Sequence, residues 1–284
     1  MSSSEPARSV AGSQTLANSG ARPRTPRIEA IAATLWLGII LFRRENPFRP
    51  AVLSYWFRAI CQTLLYTLLG VVAGGSAGGD FAFVGAVVLA GVDHAIAQVS
   101  DVPMRDRFDG TYPRLRASRL APVTTFALRS VPVVAAGCAV SGVVAVSVGL
   151  LAGRLGLAAA MLPAIPLVLA AMLSATTVGL FVIAPAIGTR YDTLTYNSMT
   201  VFVTLFTGAL IPRGTHGVFD AVGLVLPLTN AMDGIRSLIN GGPWLGSFGA
   251  ELLIACGWGL VAAVTYTLMD RRGMRTGHGA FEAS

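Results

Sequence analysis

Residues 105–116 read Arg-Asp-Arg-Phe-Asp-Gly-Thr-Tyr-Pro-Arg-Leu-Arg and separate two long apolar runs of the chain. Arg and Asp each cost about 2.5–3.5 kcal/mol at the centre of a bilayer, so this stretch cannot lie in hydrocarbon. Short cytoplasmic loops of membrane proteins collect positive charge. The stretch therefore predicts that the chain leaves a membrane here, on the cytoplasmic side, and presents a compact charged loop that a soluble partner can bind.

The overall composition is that of an integral membrane protein. Of the 284 residues, 54% are hydrophobic and 12% are charged, and the mean hydropathy is +0.65. A typical soluble domain carries about 25% charged residues. The formal charge of +7 comes from arginines that cluster at the ends of apolar runs, which is typical of cytoplasmic loops and not of nucleic-acid binding.

Several classes of chemistry are excluded by the residue types present. All 21 basic residues are arginine, and a Walker-type phosphate loop or a Schiff-base centre needs lysine. The three cysteines and three histidines are scattered along the chain and show no metal-ligand spacing. We therefore expect that this chain is not an enzyme, with no catalytic residues, no metal site and no cofactor of its own.

Six apolar runs are long enough to cross a bilayer as helices, for which about 20 residues are needed. These runs cover residues 51–73, 81–101, 124–151, 158–183, 193–212 and 248–269. The connections alternate in charge, because loop 74–80 holds no Arg whereas loop 102–123 holds five. The positive-inside rule then predicts an all-α membrane protein with six transmembrane helices and both termini in the cytoplasm.

The two ends of the chain and an early apolar stretch complete the predicted organisation. Residues 1–26 are rich in Ser, Ala, Pro and Arg and predict a disordered tail; 27–272 form the transmembrane domain and 273–284 a cytoplasmic C-terminal tail. Residues 28–42 are apolar but short, and arginines flank them on both sides. This pattern predicts an N-terminal amphipathic helix lying in the cytoplasmic interface; a short or tilted span is the alternative.

The segment 213–247 is too apolar for a solvated loop, yet neither of its apolar stretches is long enough to span. It predicts a re-entrant helical pair in the outer leaflet before the last span, since irregular backbone at membrane depth must be covered by protein or a wet cavity. The residues that mark the break and the second helix of this segment are Pro227, Thr229, Asn230 and Arg236.

Polar side chains inside two of the apolar runs are candidates for a substrate pathway. Ionisable groups within a membrane span are rare and functional by default, and the pair Asp93-His94 lies in the second run. The alternative is that neighbouring helices or water satisfy this pair structurally. The full candidate set, with hydroxyl-bearing residues of the fifth run, is Asp93, His94, Tyr196, Thr200, Thr204 and Thr207.

The chain resembles the permease subunit of type-2 ATP-binding-cassette exporters, the group that contains the daunorubicin-resistance permeases. The resemblance covers roughly residues 28–272 and rests on the order of three motifs as much as on any one of them. These motifs are Asp109-Gly110-Thr111-x-x-x-Leu115, Gly208-Ala209-Leu210-Ile211-Pro212 and the stretch from Pro227 to Arg236. The family's Ser-Pro pair after the loop stands here as Ala121-Pro122.

The resemblance implies that the charged loop is a coupling element seated in a groove of a separate cytoplasmic ATP-binding-cassette ATPase subunit. ATP and Mg would then bind to that partner and not to this chain. A second copy of the permease, or a paralogous permease, would complete the transporter in the bilayer of a bacterial cell (inner) membrane, without nucleic acid. The implied coupling residues are Arg105, Asp106, Arg107, Phe108, Asp109, Gly110, Thr111, Arg114 and Leu115.

The function implied by the resemblance is export of an amphipathic drug, antibiotic or lipid-like molecule, powered by ATP hydrolysis on the partner. Two alternatives stay open. One is an exporter of a lipid-linked glycan. The other is a proton-coupled secondary transporter, for which Asp93-His94 offers the titratable pair.

Overall fold

The computed structural model describes residues 27–47, 50, 52–111, 114–115, 120–186, 192–215 and 217–276. All regular structure within these residues is helical, which confirms the predicted all-α class. The predicted tail 1–26 and the end of the C-terminal tail, residues 277–284, lie outside the described residues.

The α-helices are numbered in chain order. They are α1 (Arg27–Glu45), α2 (Phe57–Phe108), α3 (Pro122–Arg129), α4 (Val131–Leu151), α5 (Leu155–Ala160), α6 (Ile165–Ile183), α7 (Asp192–Phe206), α8 (Gly217–Gly223), α9 (Thr229–Ile239) and α10 (Leu245–Thr276). A π-helical turn, Val52–Trp56, precedes α2, and the 3-10 turns Leu162–Ala164 and Ala184–Ala186 flank α6.

Four helical segments of the described chain are long and apolar enough to cross a membrane. They are Ser54–Asp106, Pro122–Leu151, Leu155–Ile183 and Leu245–Arg271. The helix Leu194–Phe206 is apolar but shorter. α1 is not among the four, although it has 19 residues, and it carries charged residues at both ends.

α2 consists of two arms that double back on each other. Gly74 and Gly75 leave helical geometry, and Gly75 has φ +65°, which favours glycine. A Cβ placed on Gly70 would lie 2.5 Å from the carbonyl oxygen of Gly78, so the two backbones touch next to the turn. We call residues 57–73 α2a and residues 76–108 α2b. The first two predicted apolar runs are thus the two arms of a helical hairpin.

The core of the bundle is built around α2b, which packs against α4 and α6. Apolar side chains of α2b such as Phe83, Val88 and Ile96 have no exposed surface. Gly91 of α2b and Gly137 of α4 bring the two helices into close contact, since a Cβ on Gly137 would lie 3.0 Å from the Gly91 carbonyl oxygen. Small residues at helix crossings are a common device of membrane proteins, because they let backbones approach.

The two ends of the bundle contain different loops and different ion pairs. At the glycine-turn end, Arg154 forms an ion pair with Asp80 at 2.8 Å and donates to the Ser76 carbonyl at 3.1 Å, so loops 74–80 and 152–157 lie together. We call the other end, next to residues 105–111, the charged-loop end. There Glu45 of α1 forms an ion pair with Arg105 at 2.7 Å. The structure thus places loops 74–80 and 152–157 at one end of the bundle and the beginning of the charged loop at the other.

The segment before α10 contains two short helices, α8 and α9, joined by residues 224–228. Two short helices are therefore present in 213–247, while their re-entrant placement in the outer leaflet stays a prediction. The backbone reverses at Leu228, which has φ +81° and is the one non-glycine residue with positive φ in the described chain.

Candidate functional site

A cavity of about 190 Å³ lies between α2a, α2b and α7. Four of the six predicted pathway residues line it, namely Asp93, His94, Tyr196 and Thr200. Polar and charged residues make up much of the remaining wall: Tyr55, Arg58, Gln62, Gln98, Asp101 and Asn197. Because these residues come from the beginnings of α2a and α7 and from residues 90–101 in the second half of α2b, the cavity lies toward the charged-loop end.

Helical spacing explains why these side chains meet. On α2b, residues 90, 93, 94, 97, 98 and 101 line the cavity, and steps of three and four residues keep side chains on one helix face. Residues 55, 58, 59 and 62 before and along α2a repeat the same spacing. The face of α2b that the sequence marks with Asp93-His94 is therefore the face that lines the cavity.

The two ionisable residues of α2b differ in their surroundings. The Oδ1 atom of Asp93 is buried and has no hydrogen-bond partner among the described residues. The His94 ring stands edge-on to Tyr55, with ring centroids 5.5 Å apart. Asp93 thus brings a carboxylate to the cavity that the surrounding protein leaves only partly satisfied.

Thr204 and Thr207 do not line this cavity. The Thr204 hydroxyl donates to the carbonyl of Thr200 at 2.8 Å, and the buried Thr207 hydroxyl donates to the carbonyl of Val203 at 2.6 Å. Each hydroxyl is therefore satisfied within the backbone of its own helix region. Thr204 lies farther along α7 and Thr207 directly follows its last residue, so both are nearer the glycine-turn end.

At the charged-loop end, Arg105 fastens α1 to α2b. Its guanidinium pairs with Glu45, and Asn46 donates to the side-chain oxygen of Gln98 at 3.3 Å. Partial burial raises the pKa of the Glu45 carboxyl above its usual value, and the Arg105 charge opposes that rise. Arg105 therefore has an ion-pair partner within the chain, and this pair connects α2b to the N-terminal helix α1.

Asp106 is a structural residue of the loop. It forms an ion pair with Arg129 of α3, and both side chains are almost completely buried. Thr111 binds it twice, through its hydroxyl to Asp106 Oδ1 at 3.0 Å and through its N–H to the Asp106 carbonyl at 2.9 Å. Asp106 and Thr111, both predicted as coupling residues, therefore shape the loop from inside.

Among the loop residues that the structure describes, Asp109, Gly110 and Arg114 are exposed. Gly110 has φ +62°, and a Cβ there would meet no atom within 4 Å, so the turn leaves open space in front of it. Leu115 packs against the core. The side chains of Arg107 and Phe108 lie outside the described part of the chain.

In the segment before α10, Arg236 ties α9 to the end of α7. Its Nη1 donates to the carbonyl of Gly208 at 2.7 Å, and its Nη2 donates to the carbonyl of Ala209 at 2.9 Å. The guanidinium also lies 3.6 Å from the centroid of the Phe81 ring. Pro227 and Thr229 are buried and Asn230 is partly buried at the start of the same helix.

Glu251 is a buried residue of this region that was not among the candidates predicted from sequence. Its carboxylate accepts hydrogen bonds from the Ser174 hydroxyl and from the N–H groups of Leu228 and Ala231. It has no exposed surface. The signal that marks it in the sequence is a single carboxylate inside an apolar run, the kind of residue that needs partners in a membrane.

The described residues contain no group of three or more His, Cys, Asp or Glu side chains suited to a metal ion. The helix α2b lines a polar cavity and is followed at its C-terminal end by an exposed charged loop. These features define the class of the protein as a polytopic helical membrane protein with a charged loop at one end of its helical bundle.

The family of the chain follows from its sequence match. The ABC-2 type transporter family matches residues 35–240, which are 206 of the 284 residues. The chain belongs to this family, and it is therefore a transmembrane component of an ABC-type transporter and not itself a catalytic domain. We found no match to the chain among curated proteins.

Proposed function

We propose that the chain is the permease subunit of an exporter of the daunorubicin-resistance type, which moves an amphipathic drug, antibiotic or lipid-like molecule out of the cell. ATP hydrolysis, with its Mg, takes place on a separate cytoplasmic ATPase subunit. The observation that carries this proposal is that one helix arm, α2b, holds both the cavity residues around Asp93 and the exposed loop around Asp109.

In this mechanism the helix α2b transmits motion from the charged loop to the cavity. From Asp93 to Arg105 the arm rises about 18 Å, at 1.5 Å per residue. It stays helical through Pro103, since its non-helical backbone angles are confined to Gly74 and Gly75. A displacement applied to the loop therefore moves the cavity wall, while α4 and α6 pack against α2b.

The surface that meets the ATPase includes Asp109, Gly110 and Arg114. α1 moves together with this surface, because Glu45 is paired with Arg105 and because Gly38 lies against the backbone of Arg129, where a Cβ would come 2.8 Å from Arg129 Cα. Closure of the ATPase then pushes on the loop and on the interfacial helix at the same time.

The proposed topology has six crossings, with both termini in the cytoplasm of a bacterial cell. α2a and α2b are two crossings, followed by α3–α4, α5–α6, α7 with its extension, and α10. α1 lies in the cytoplasmic interface and α8–α9 form the re-entrant pair. A second copy or a paralogous permease completes the transporter.

Reconstitution with the ATPase tests this function. The complex in liposomes is expected to move a fluorescent amphipathic dye only when ATP is supplied, and a Walker-lysine variant of the ATPase is the control. Asp109→Arg is expected to reduce ATPase co-purification and transport together, with unchanged membrane insertion, because an added Arg reinforces the positive-inside signal. Transport that needs a proton gradient and no ATPase would instead establish a secondary carrier.

A further inference from the structure

We propose that the cavity between α2a, α2b and α7 binds the positively charged end of an amphipathic ligand, and that the Asp93 carboxylate is the group that recognises the charge. This inference rests on the proposed function in that it takes the cavity as part of the transport pathway, and it names the chemical class of the molecule bound there.

The first argument is the unfilled bonding capacity of Asp93. Its Oδ1 is shielded from solvent and lacks a hydrogen-bond partner in the described chain, while the residue itself lines the cavity. Buried polar groups in proteins are almost always bonded, and an unpaired carboxylate is among the costliest groups to bury. A cationic group in the cavity supplies the missing partner, since ammonium donors bind carboxylates with strong charge-assisted hydrogen bonds.

The second argument is the balance of charge in the lining. The described lining holds two acidic side chains, Asp93 and Asp101, and one basic side chain, Arg58, whose charge acts on Asp93. Acidic side chains thus outnumber basic ones in the lining. Arg58 is exposed on α2a, whereas Asp93 holds a buried oxygen, so the acidic group is the more deeply placed of the two.

The third argument is the aromatic wall. Tyr55, in the turn before α2a, and Tyr196, on α7, both line the cavity. The faces of aromatic rings attract cations, and tyrosine pairs are a recurrent feature of sites for quaternary ammonium groups. The amide side chains of Gln62 and Asn197 add neutral hydrogen-bonding groups that suit a polar headgroup of either sign. The aromatic residues therefore reinforce the preference that Asp93 creates.

The volume of the cavity indicates which part of a ligand it holds. At about 190 Å³ it is smaller than the range of about 300–1,000 Å³ that encloses a drug-sized molecule. It fits the charged end of an amphipathic ion, while the apolar remainder extends along the lipid-facing helices. A ligand bound in this way is oriented with its charge toward the charged-loop end.

The test measures binding of two probes of opposite charge to the purified full-length permease in lipid nanodiscs, without the ATPase. The probes are phenylbutyl-trimethylammonium, a permanent cation, and phenylbutyl sulfonate, an anion with the same apolar part. Wild-type protein is expected to bind the cation more tightly. Asp93→Asn keeps the shape of the side chain and is expected to weaken cation binding about tenfold or more, because a charged hydrogen-bond partner is lost.

Two variants guard against a folding artefact. Asp93→Glu keeps the charge and is expected to retain cation binding to within a few-fold of wild type. Asp80→Asn removes a carboxylate from the opposite end of α2b, where Asp80 pairs with Arg154 in an exposed position, and is expected to leave binding unchanged. Equal cation binding by wild type and Asp93→Asn, or tighter binding of the sulfonate by wild type, would overturn the inference.

The proposed function and this inference fail in distinguishable ways. If the reconstituted complex moves neutral dyes with ATP but Asp93→Asn changes nothing for cations, the exporter stands and the assignment of Asp93 is wrong. If Asp93-dependent cation binding is found but no ATPase drives transport, the recognition site stands and the ATP-powered mechanism is wrong.

Discussion

The carboxylate of Glu251 accepts the backbone N–H of Leu228 at 2.7 Å, although the two residues lie 23 positions apart in the chain. The same carboxylate accepts the N–H of Ala231 at 3.1 Å and the hydroxyl of Ser174. A negative group is favoured at a helix N-terminus, where N–H groups have no partner within the helix. One buried side chain of α10 therefore fixes the start of α9 and joins it to α6.

Replacing Glu251 is expected to destabilise the protein strongly. Glu251→Ala leaves the N–H groups of Leu228 and Ala231 buried without an acceptor, and hydrogen bonds to a charged group contribute about 1.5–3 kcal/mol each. We expect the free energy of unfolding to fall by at least about 3 kcal/mol. The measurement is unfolding of the purified permease in detergent, followed by circular dichroism.

Two further variants separate the hydrogen bonds of Glu251 from the space it fills. Glu251→Gln keeps the shape and one acceptor oxygen, and is expected to fall between wild type and Glu251→Ala. Ser174→Ala removes one donor to the same carboxylate and is expected to cost about 1.5–3 kcal/mol. If Glu251→Ala unfolds at the wild-type temperature, the carboxylate is not what holds α9.

The buried pair of Asp106 and Arg129 leads to a second prediction. Removing one member of a buried ion pair costs about 3–5 kcal/mol, because the other charge is left without compensation. Asp106→Asn and Arg129→Gln are each expected to lower stability by that amount. The double variant is expected to lose less than the sum, and a double-mutant cycle on thermal unfolding measures the difference.

Arg114→Gln is the matched control for this pair, since Arg114 is an exposed arginine of the same loop. It is expected to change stability by less than about 0.5 kcal/mol. Additive effects of Asp106→Asn and Arg129→Gln would show that the two side chains do not depend on each other, and that the loop is held onto α3 in another way.

The turn at Gly110 makes a prediction about the docking surface. With φ +62° and open space around its Cβ position, any effect of a substitution there comes from backbone conformation and not from a clash. Gly110→Val is expected to distort the turn and to reduce co-purification of the ATPase. Gly110→Asn is the control, because Asn tolerates this conformation better than other residues do. Equal loss of ATPase from both variants would show that backbone strain is not the cause.

The sequence predicted those features of the fold that follow from composition and local period. The loop 105–116, the alternation of charge between loops and the two short helices after residue 213 are all visible in the order of residues, because burial in a bilayer demands long apolar runs and puts arginines at their ends. The face shared by Asp93 and His94 also follows from helical spacing. Composition and periodicity belong to each segment alone and do not depend on which other segments it contacts.

The roles of particular polar side chains were not predictable in the same way. Asp106 reads as part of a solvated charged loop, yet its partner Arg129 lies 23 residues later, across the 112–120 connection. Glu251 and Ser174 are separated by 77 residues. Such pairs depend on which helices become neighbours, and a single sequence shows no preference for one neighbour over another. Arg105 stays predicted as a coupling residue, and its ion pair with Glu45 of α1 is a contact that the sequence did not indicate.

The arrangement of loops at the two ends of the bundle gives a prediction about membrane sidedness. Ser76 and Thr215 are exposed and lie in segments at the glycine-turn end, whereas Asp109 is exposed at the charged-loop end. In a variant whose three native cysteines (Cys61, Cys138 and Cys256) are replaced by serine or alanine, Ser76→Cys and Thr215→Cys are expected to react with a membrane-impermeant maleimide added to intact cells. Asp109→Cys is expected to react only after permeabilisation.

The permease is expressed without its ATPase in this experiment, so that a docked partner does not shield Asp109→Cys. The cysteine-free parent is the control for background labelling. The three positions are informative together, because the arginine-rich loop 102–123 and the arginine-free loop 74–80 must face opposite sides if positive charge decides orientation. Labelling of Asp109→Cys in intact cells, with Ser76→Cys protected, would place the charged loop outside. No cytoplasmic ATPase would then reach it, and the coupling mechanism through α2b would be wrong.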